Sequence, residues 1–318
     1  MKSKIAVISS LCALAALIFS SDAVISSCRY ALELCCEMIV PTLFPFFVIS
    51  ILLNRLGLPA ALGKLLQPLA IKLFNVSGTA ASALVIGLSG GYPLGAAYIA
   101  DMHASEVIST EEAERLLGFC NNSGPAFLIG AIGTGVFHSP KIGLMLYLVH
   151  ISAAVICGII MRDRSSMPVP VPMEIHYSGF STAFPGAVKQ AVISILNVCG
   201  FVVCFSVLVG ILDAGGFLSL LIGLISEATG WQLQWIRALL TGLLELGSGI
   251  GAMRGLECSP INIALAAFLA GWGGLSVHFQ TRALIAGTKI KGALHFAGRL
   301  MSASISAVLA YCSALFFI

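Results

Sequence analysis

The sequence predicts an all-α polytopic membrane protein made of two inverted repeats, each carrying a re-entrant hairpin and a broken transmembrane helix. Three observations predict it. Of the 318 residues, 58% are hydrophobic and 10% charged, with a mean hydropathy of +1.00; soluble domains carry roughly 25% charged residues. Apolar segments of spanning length are interrupted midway by Gly, Pro, Asn and Ser. The order of features in the first half of the chain then returns in the second.

Composition also excludes classes. A net charge of +3 gives no reason to expect nucleic acid as a partner. The 10 cysteines are scattered through apolar segments with no CxxC pair or metal spacing, so they read as small hydrophobes. No glycine-rich loop ending in GK[ST] occurs, which argues against an on-board NTPase. Neither a cofactor nor a metal is expected.

Lys2 and Lys4 precede an apolar run from Ile5 to Phe19. A cleaved signal peptide competes with a retained anchor here, but the small residues from Ser20 to Ala23 form no good A-x-A site. Residues 1–27 are therefore taken as an N-terminal transmembrane anchor. The first repeat, residues 28–161, opens with a mixed stretch from Arg29 to Glu37 and a span from Met38 to Leu53, which Pro41 and Pro45 should kink. Leu58 to Phe74, with Lys64 and Lys72 among leucines, reads as an interfacial helix. Gly78 to Ala100 is broken at its centre by Gly87 to Gly95, GLSGGYPLG. Two arms of about nine residues each cannot cross separately, so they form a re-entrant hairpin. Asp101 to Arg115 is a polar connection.

Gly118 to Gly135 follows, with Asn121, Asn122, Ser123, Gly124 and Pro125 at its middle. Two side-chain amides and a helix breaker at membrane depth are tolerated only inside protein or on a wet cavity. A new half-helix begins near Pro125, with Ser123 as its expected N-cap. A plain span from Ile142 to Met161 closes the repeat.

Residues 162–181, with RDRSS and MPVPVP, form a linker. The second repeat, residues 182–318, runs through Lys189 to Leu212, Phe217 to Thr229, a hairpin from Trp231 to Leu256 broken at Gly242 to Met253, and a span interrupted at Gly271 to Thr281. Lys291 to Phe317 ends it. Cations fit this arrangement. Lys2, Lys4, Arg55, Lys64, Lys72, Arg115, Arg162, Arg164, Lys189, Lys289 and Lys291 fall on one side, and only Arg29, Lys141 and Arg254 on the other. The positive-inside rule makes the first side cytoplasmic, provided that both hairpins return to the side they entered from.

Four polar breaks then lie at one level of the membrane, where a small polar solute could bind. The candidate residues are Ser89, Gly90 and Tyr92 from the first tip, Asn121, Asn122 and Ser123 from the first break, Glu245 and Ser248 from the second tip, and Trp272, Ser276, His278 and Gln280 from the second break. Plainer readings exist. Glycine and serine often only permit close packing, Tyr92 and Trp272 suit the membrane interface, and His278 suits a core. Glu245 is an ionisable intramembrane group, functional unless it pairs with Arg237 or Arg254. Glu245 and the Asn pair are expected to share one cavity, contacting a solute or a coupling proton or cation between them. Association of copies of the chain is left open.

The strings FPFFVIS, GLSGGYPLGA and EAERLLGFCNNSGPAFLIGAIGTGVF, with Arg162 and Arg164 after the next span, resemble the sporulation integral membrane protein YlbJ family. That family is grouped with the gate, or nucleoside-recognition, domain of concentrative nucleoside transporters and of the ferrous-iron transporter FeoB. The resemblance implies a bacterial inner-membrane protein linked to spore cortex formation, with an elevator-like core of two hairpins and two unwound helices. Gly87 to Gly95 holds no carboxylate, unlike the acidic hairpin of nucleoside carriers. Two other functions compete with transport. Gly87-Leu88-Ser89-Gly90 resembles the GxSG nucleophile motif of rhomboid intramembrane proteases, which would need His150 or His278 as base. Its glycines are needed by a hairpin tip anyway, so no enzyme is expected. A non-transporting scaffold for sporulation is the other.

Overall fold

The computed structural model describes residues 2–163 and 179–317, so Arg164 and the prolines of the expected linker lie outside the described residues. Every regular element it describes is helical.

Helix α1 (Lys2–Phe19) precedes α2 (Ser21–Leu34), a wide π turn at Cys35–Ile39 and α3 (Val40–Arg55). The last three run as one helix, Ser21–Arg55. The mixed stretch from Arg29 to Glu37, expected to lead into the span, is part of it, so the span begins well before the expected Met38. Arg29, Glu33 and Glu37 recur every fourth residue and are all exposed, while Ala31, Leu34, Cys35 and Met38 are buried on the opposite side. The π turn sits just before Pro41, whose missing N–H cannot continue an α-helical ladder. After the turn at Gly57 comes α4 (Leu58–Phe74), as expected.

Helices α5 (Gly78–Gly90) and α6 (Leu94–Ala104) form the first hairpin. Only Gly91, Tyr92 and Pro93 interrupt them, a narrower break than the sequence suggested. A Cβ on Gly95 would lie 3.0 Å from the Cα of Gly87, so the arms touch backbone to backbone. Ser109 accepts from Glu112 N and starts α7 (Thr110–Cys120), which shortens the expected polar connection at both ends. The chain leaves helical geometry at Asn121 and resumes as a π helix, Ala126–Thr134, followed by α8 (Pro140–Ile160). Pro125 caps that π helix, not Ser123.

The second half repeats the succession. Helix α9 (Phe180–Ala214) is a long helix that begins before the expected Lys189, taking the last linker residues into itself. Then come α10 (Phe217–Thr229), a hairpin of α11 (Leu233–Leu244) and α12 (Leu246–Ala252), a broken pair α13 (Pro260–Trp272) and α14 (Gly274–Leu284), and α15 (Ala293–Phe317). The turn that follows each long helix places a left-handed glycine ahead of the short one: Gly57 with φ 84° before α4, and Gly216 with φ 73° before α10. Only glycine adopts that geometry cheaply. The second hairpin closes on Gly242 and Gly249, where a Cβ on Gly249 would lie 2.2 Å from Gly242 Cα. Its break is confined to Glu245, and the second helix break to Gly273. His278 and Gln280 are therefore helical residues of α14.

Among the described residues, 5 helices are long and apolar enough to cross a membrane: Ser21–Arg55, Pro140–Ile160, Phe180–Ala214, Pro260–Leu284 and Ala293–Phe316. The anchor, the two broken helices and the four other spans read from the sequence would make seven crossings. The Asn-Asn helix is split into pieces of 11 and 9 residues, and α1 also falls outside the five. Of the apolar window in Pro260–Leu284, 78% is buried, against 28% in Phe180–Ala214. The broken pair is thus at the centre, and the long helix at the lipid-facing margin.

Candidate functional site

Each hairpin tip rests on the break of its own half. A Cβ on Gly91 would lie 2.6 Å from Gly124 N, and one on Gly274 would lie 2.9 Å from Leu246 N. The halves are then joined through the frayed end of α13. Its last carbonyls have no intrahelical partner. Tyr92 Oη donates to Ala270 O at 3.1 Å, and Ser123 Oγ donates to the same oxygen at 3.1 Å. Trp272 Nε1 donates to Leu243 O at 3.0 Å, which fixes α13 to the end of α11.

One cavity of about 50 Å³ lies where the tips and breaks meet. The first tip contributes Gly91 and Tyr92, the first break Ser123 and Gly124, the second tip Glu245, and α14 Ser276 and Gln280. Ile39 and Leu43 from the first long helix, with Val198 and Val202 from the second, form its apolar side. The polar side chains are deeply buried: Glu245, Ser123 and Ser276 are each 1% exposed and Gln280 4%.

Glu245 makes no ion pair among the described residues. Arg237 pairs with Asp213 at 2.9 Å instead. The carboxylate caps α12, accepting from Gly247 N through Oε1 and from Ser248 N through Oε2. Ser248 Oγ bonds Ser206 Oγ at 3.0 Å, on the side of the long helix α9 and away from the cavity lining.

The Asn pair is not on the cavity, contrary to the expected shared site. Asn121 Oδ1 accepts from Ala96 N, and its Nδ2 reaches Thr281 Oγ1 at 2.9 Å and His295 Nε2 at 3.2 Å. Asn122 Nδ2 donates to Phe119 O at 2.8 Å, satisfying one orphan carbonyl of α7. Its Oδ1 accepts from Arg299 Nη1 at 3.1 Å. Asn122 thus pairs a loose carbonyl of the break and Asn121 a loose amide of α6, and Ser123 is what the break gives to the cavity. Ser123 N in turn donates to His150 Nε2 at 3.0 Å.

Ser89 and Gly90 also lie off the cavity, within the last turn of α5, and Ser89 Oγ donates to Ile86 O at 3.4 Å. Trp272 and His278 pack against each other at a tilt of 51°, with ring centroids 4.3 Å apart, and both meet Phe296 of α15. They brace the broken pair.

The sequence reading missed Arg299 and His295. Arg299 is fully buried, and its Nη2 donates to Gly118 O at 2.9 Å while Nη1 donates to Tyr92 Oη and Asn122 Oδ1. Its charge answers the negative end of the α7 half-helix. A lone arginine within the apolar run of the last span was the available signal.

The fold and this site define a multi-pass helical membrane protein in which two helical hairpins and two broken helices meet at a buried cavity. No protein-family profile matches the chain, and no solved structure matches it. The sporulation integral membrane protein YlbJ of Bacillus subtilis (strain 168) is 30% identical over 297 residues, 86% of this chain and 73% of the relative. The chain belongs to the YlbJ family and is a multi-pass protein of the bacterial inner membrane.

Proposed function

We propose that the protein is a secondary transporter of a small polar solute, not an enzyme, acting in spore formation as the name of its relative suggests and contributing to the spore cortex. The single observation that carries this reading is the cavity shared by both tips, Tyr92 and Glu245, the first break, Ser123, and α14, Ser276 and Gln280. Polar groups at such depth are costly unless they serve a bound species or a path. In this reading residues 28–161 and 182–318 are inverted repeats after an anchor at residues 1–27, and the hairpins re-enter from opposite sides. The core moves as an elevator against the long helices, whose contribution to the cavity is apolar; Ser248–Ser206 and Arg237–Asp213 tie the second hairpin to α9 and must break in that movement.

The experiment places a single cysteine at Gln280, or at Ser123, in a background lacking the native cysteines. A membrane-impermeant thiol reagent is applied to inside-out and right-side-out vesicles. A transporter exposes the cavity to each side in turn, so both preparations react. Reaction from neither side, in protein of normal abundance, overturns the reading and leaves a scaffold.

A further inference from the structure

The hydrogen bonds already made around the cavity decide what charge it can accept. Tyr92 and Ser123 have both given their O–H protons to Ala270 O, and Tyr92 Oη also accepts from Arg299. Gly247 N and Ser248 N are spent on Glu245. Most of the unused capacity is of the opposite kind. The Glu245 carboxylate accepts from Gly247 N and Ser248 N with the Ser248 hydroxyl beside it, and of its four lone pairs at least one is left over. Ser123 Oγ has donated and remains an acceptor. Ser276 Oγ and Gln280 Oε1 are buried with no protein partner; the amide oxygen can only accept, and the serine can turn its lone pairs to the cavity. An anion would meet a carboxylate and a ring of acceptors, whereas a cation would meet complementary charge and oxygen ligands.

Size and charge narrow the class. One carboxylate balances one positive charge, and divalent ions usually demand more oxygens with more charge. No group of three or more His, Cys, Asp or Glu suited to a metal occurs among the described residues. A cavity of about 50 Å³ has room for a small ion and a little water.

We propose that the cavity binds a monovalent cation, held by the Glu245 carboxylate, Gln280 Oε1, Ser276 Oγ and Ser123 Oγ. The cation is either an alkali ion or the ammonium group of a small amine. Both present the same chemistry to these oxygens. The inference deepens the transport reading, naming the charge of what its site takes, but binding at equilibrium is measured without transport.

The test uses the full chain purified in detergent. Its unfolding temperature is followed while choline chloride is exchanged for NaCl, KCl or methylammonium chloride at constant ionic strength. A saturable rise with one of these is expected. A rise with Na⁺ or K⁺ alone identifies an alkali site, and one with methylammonium alone an amine site. Glu245→Gln, which keeps a capping oxygen, should abolish the rise. Ser276→Ala, which spares the cap, should raise the half-saturating concentration about tenfold. The surface variant Arg237→Gln should change neither. An unfolding temperature equal in all four salts overturns the proposal, as does an undiminished response in Glu245→Gln. If the cysteine at Gln280 is inert from both sides while the salt response persists, transport fails and the cation site stands.

Discussion

Arg299 Nη1 donates to Tyr92 Oη at 3.2 Å and to Asn122 Oδ1 at 3.1 Å, tying the first hairpin tip and the first helix break to the last helix of the chain. The same guanidinium holds Gly118 O, and no carboxylate shares it among the described residues. Neutral oxygens and a half-helix end thus carry a buried charge, an arrangement that needs every contact.

Replacing Arg299 by methionine nearly keeps the volume but takes a donor from three oxygens and leaves Asn122 Oδ1 with none. Leaving that buried acceptor unpaired costs about 1–3 kcal/mol, and the other two lose their charge-assisted bond, so Arg299→Met is expected to lower the unfolding temperature in detergent. Arg299→Lys keeps the charge as a single point and loses the fork, so it should fall between. An Arg299→Met protein as stable as the parent would show that the guanidinium is not the joint described.

Glycines give a second contrast. A Cβ on Gly87 would lie 1.6 Å from Cys120 O, while one on Gly200 meets nothing within 4 Å. Gly87→Ala must push α5 away from the end of α7, at an overpacking cost of roughly 1–3 kcal/mol. Gly200→Ala in the middle of α9 gains helix propensity, about 1 kcal/mol at most. Unfolding temperatures should therefore move in opposite directions, and equal losses would contradict the packing.

How far the sequence could be read differs between fold and site. The short helices at Leu58–Phe74 and Phe217–Thr229 fall at their expected bounds, because apolar spacing and a glycine turn are local signals. The long helix through Arg29, Glu33 and Glu37 starts well before the expected Met38, since charges lower the hydropathy of a segment even when, spaced by four, they share one exposed face of a longer helix. At the site, Tyr92, Ser123, Glu245, Ser276 and Gln280 were among the candidates and line one cavity. Asn121 and Asn122 drew attention for a sound reason, being costly at that depth, but composition cannot say which oxygens a buried amide will meet. Their partners Thr281, His295 and Arg299 are more than 150 residues away in sequence. Those contacts exist only once the two halves are packed together.

The GxSG string can be tested at its serine. Ser89 Oγ reaches only Ile86 O, at a long 3.4 Å, and neither His150 nor His278 bonds it. Ser89→Ala should therefore support sporulation as well as the parent does in a complementation assay. Two residues on, Gly91 has φ +79° and faces Gly124 N at 2.6 Å from a built Cβ. Gly91→Ala must strain the backbone and lift the tip off the first break, and sporulation should fail. Complete failure of Ser89→Ala, with normal protein abundance, would bring back a serine nucleophile.

Topology remains the sharpest demand that the inverted-repeat reading makes. His103 lies at the end of α6, where its Nε2 meets Thr110 Oγ1 at 3.0 Å, and His138 follows the π helix just before α8. Between them run α7, the break and the π helix, Thr110–Cys120 and Ala126–Thr134. Neither piece can cross alone; together they are long enough for the hydrocarbon core, about 30 Å. If they form one broken crossing, cysteines at 103 and 138 label from opposite faces. The charges then place 103 with the cytoplasmic cations and 138 with Lys141 outside. Labelling of both from the same face would make this segment a third re-entrant element. The two halves would then no longer be inverted, and a cavity reached from both sides would lose its basis.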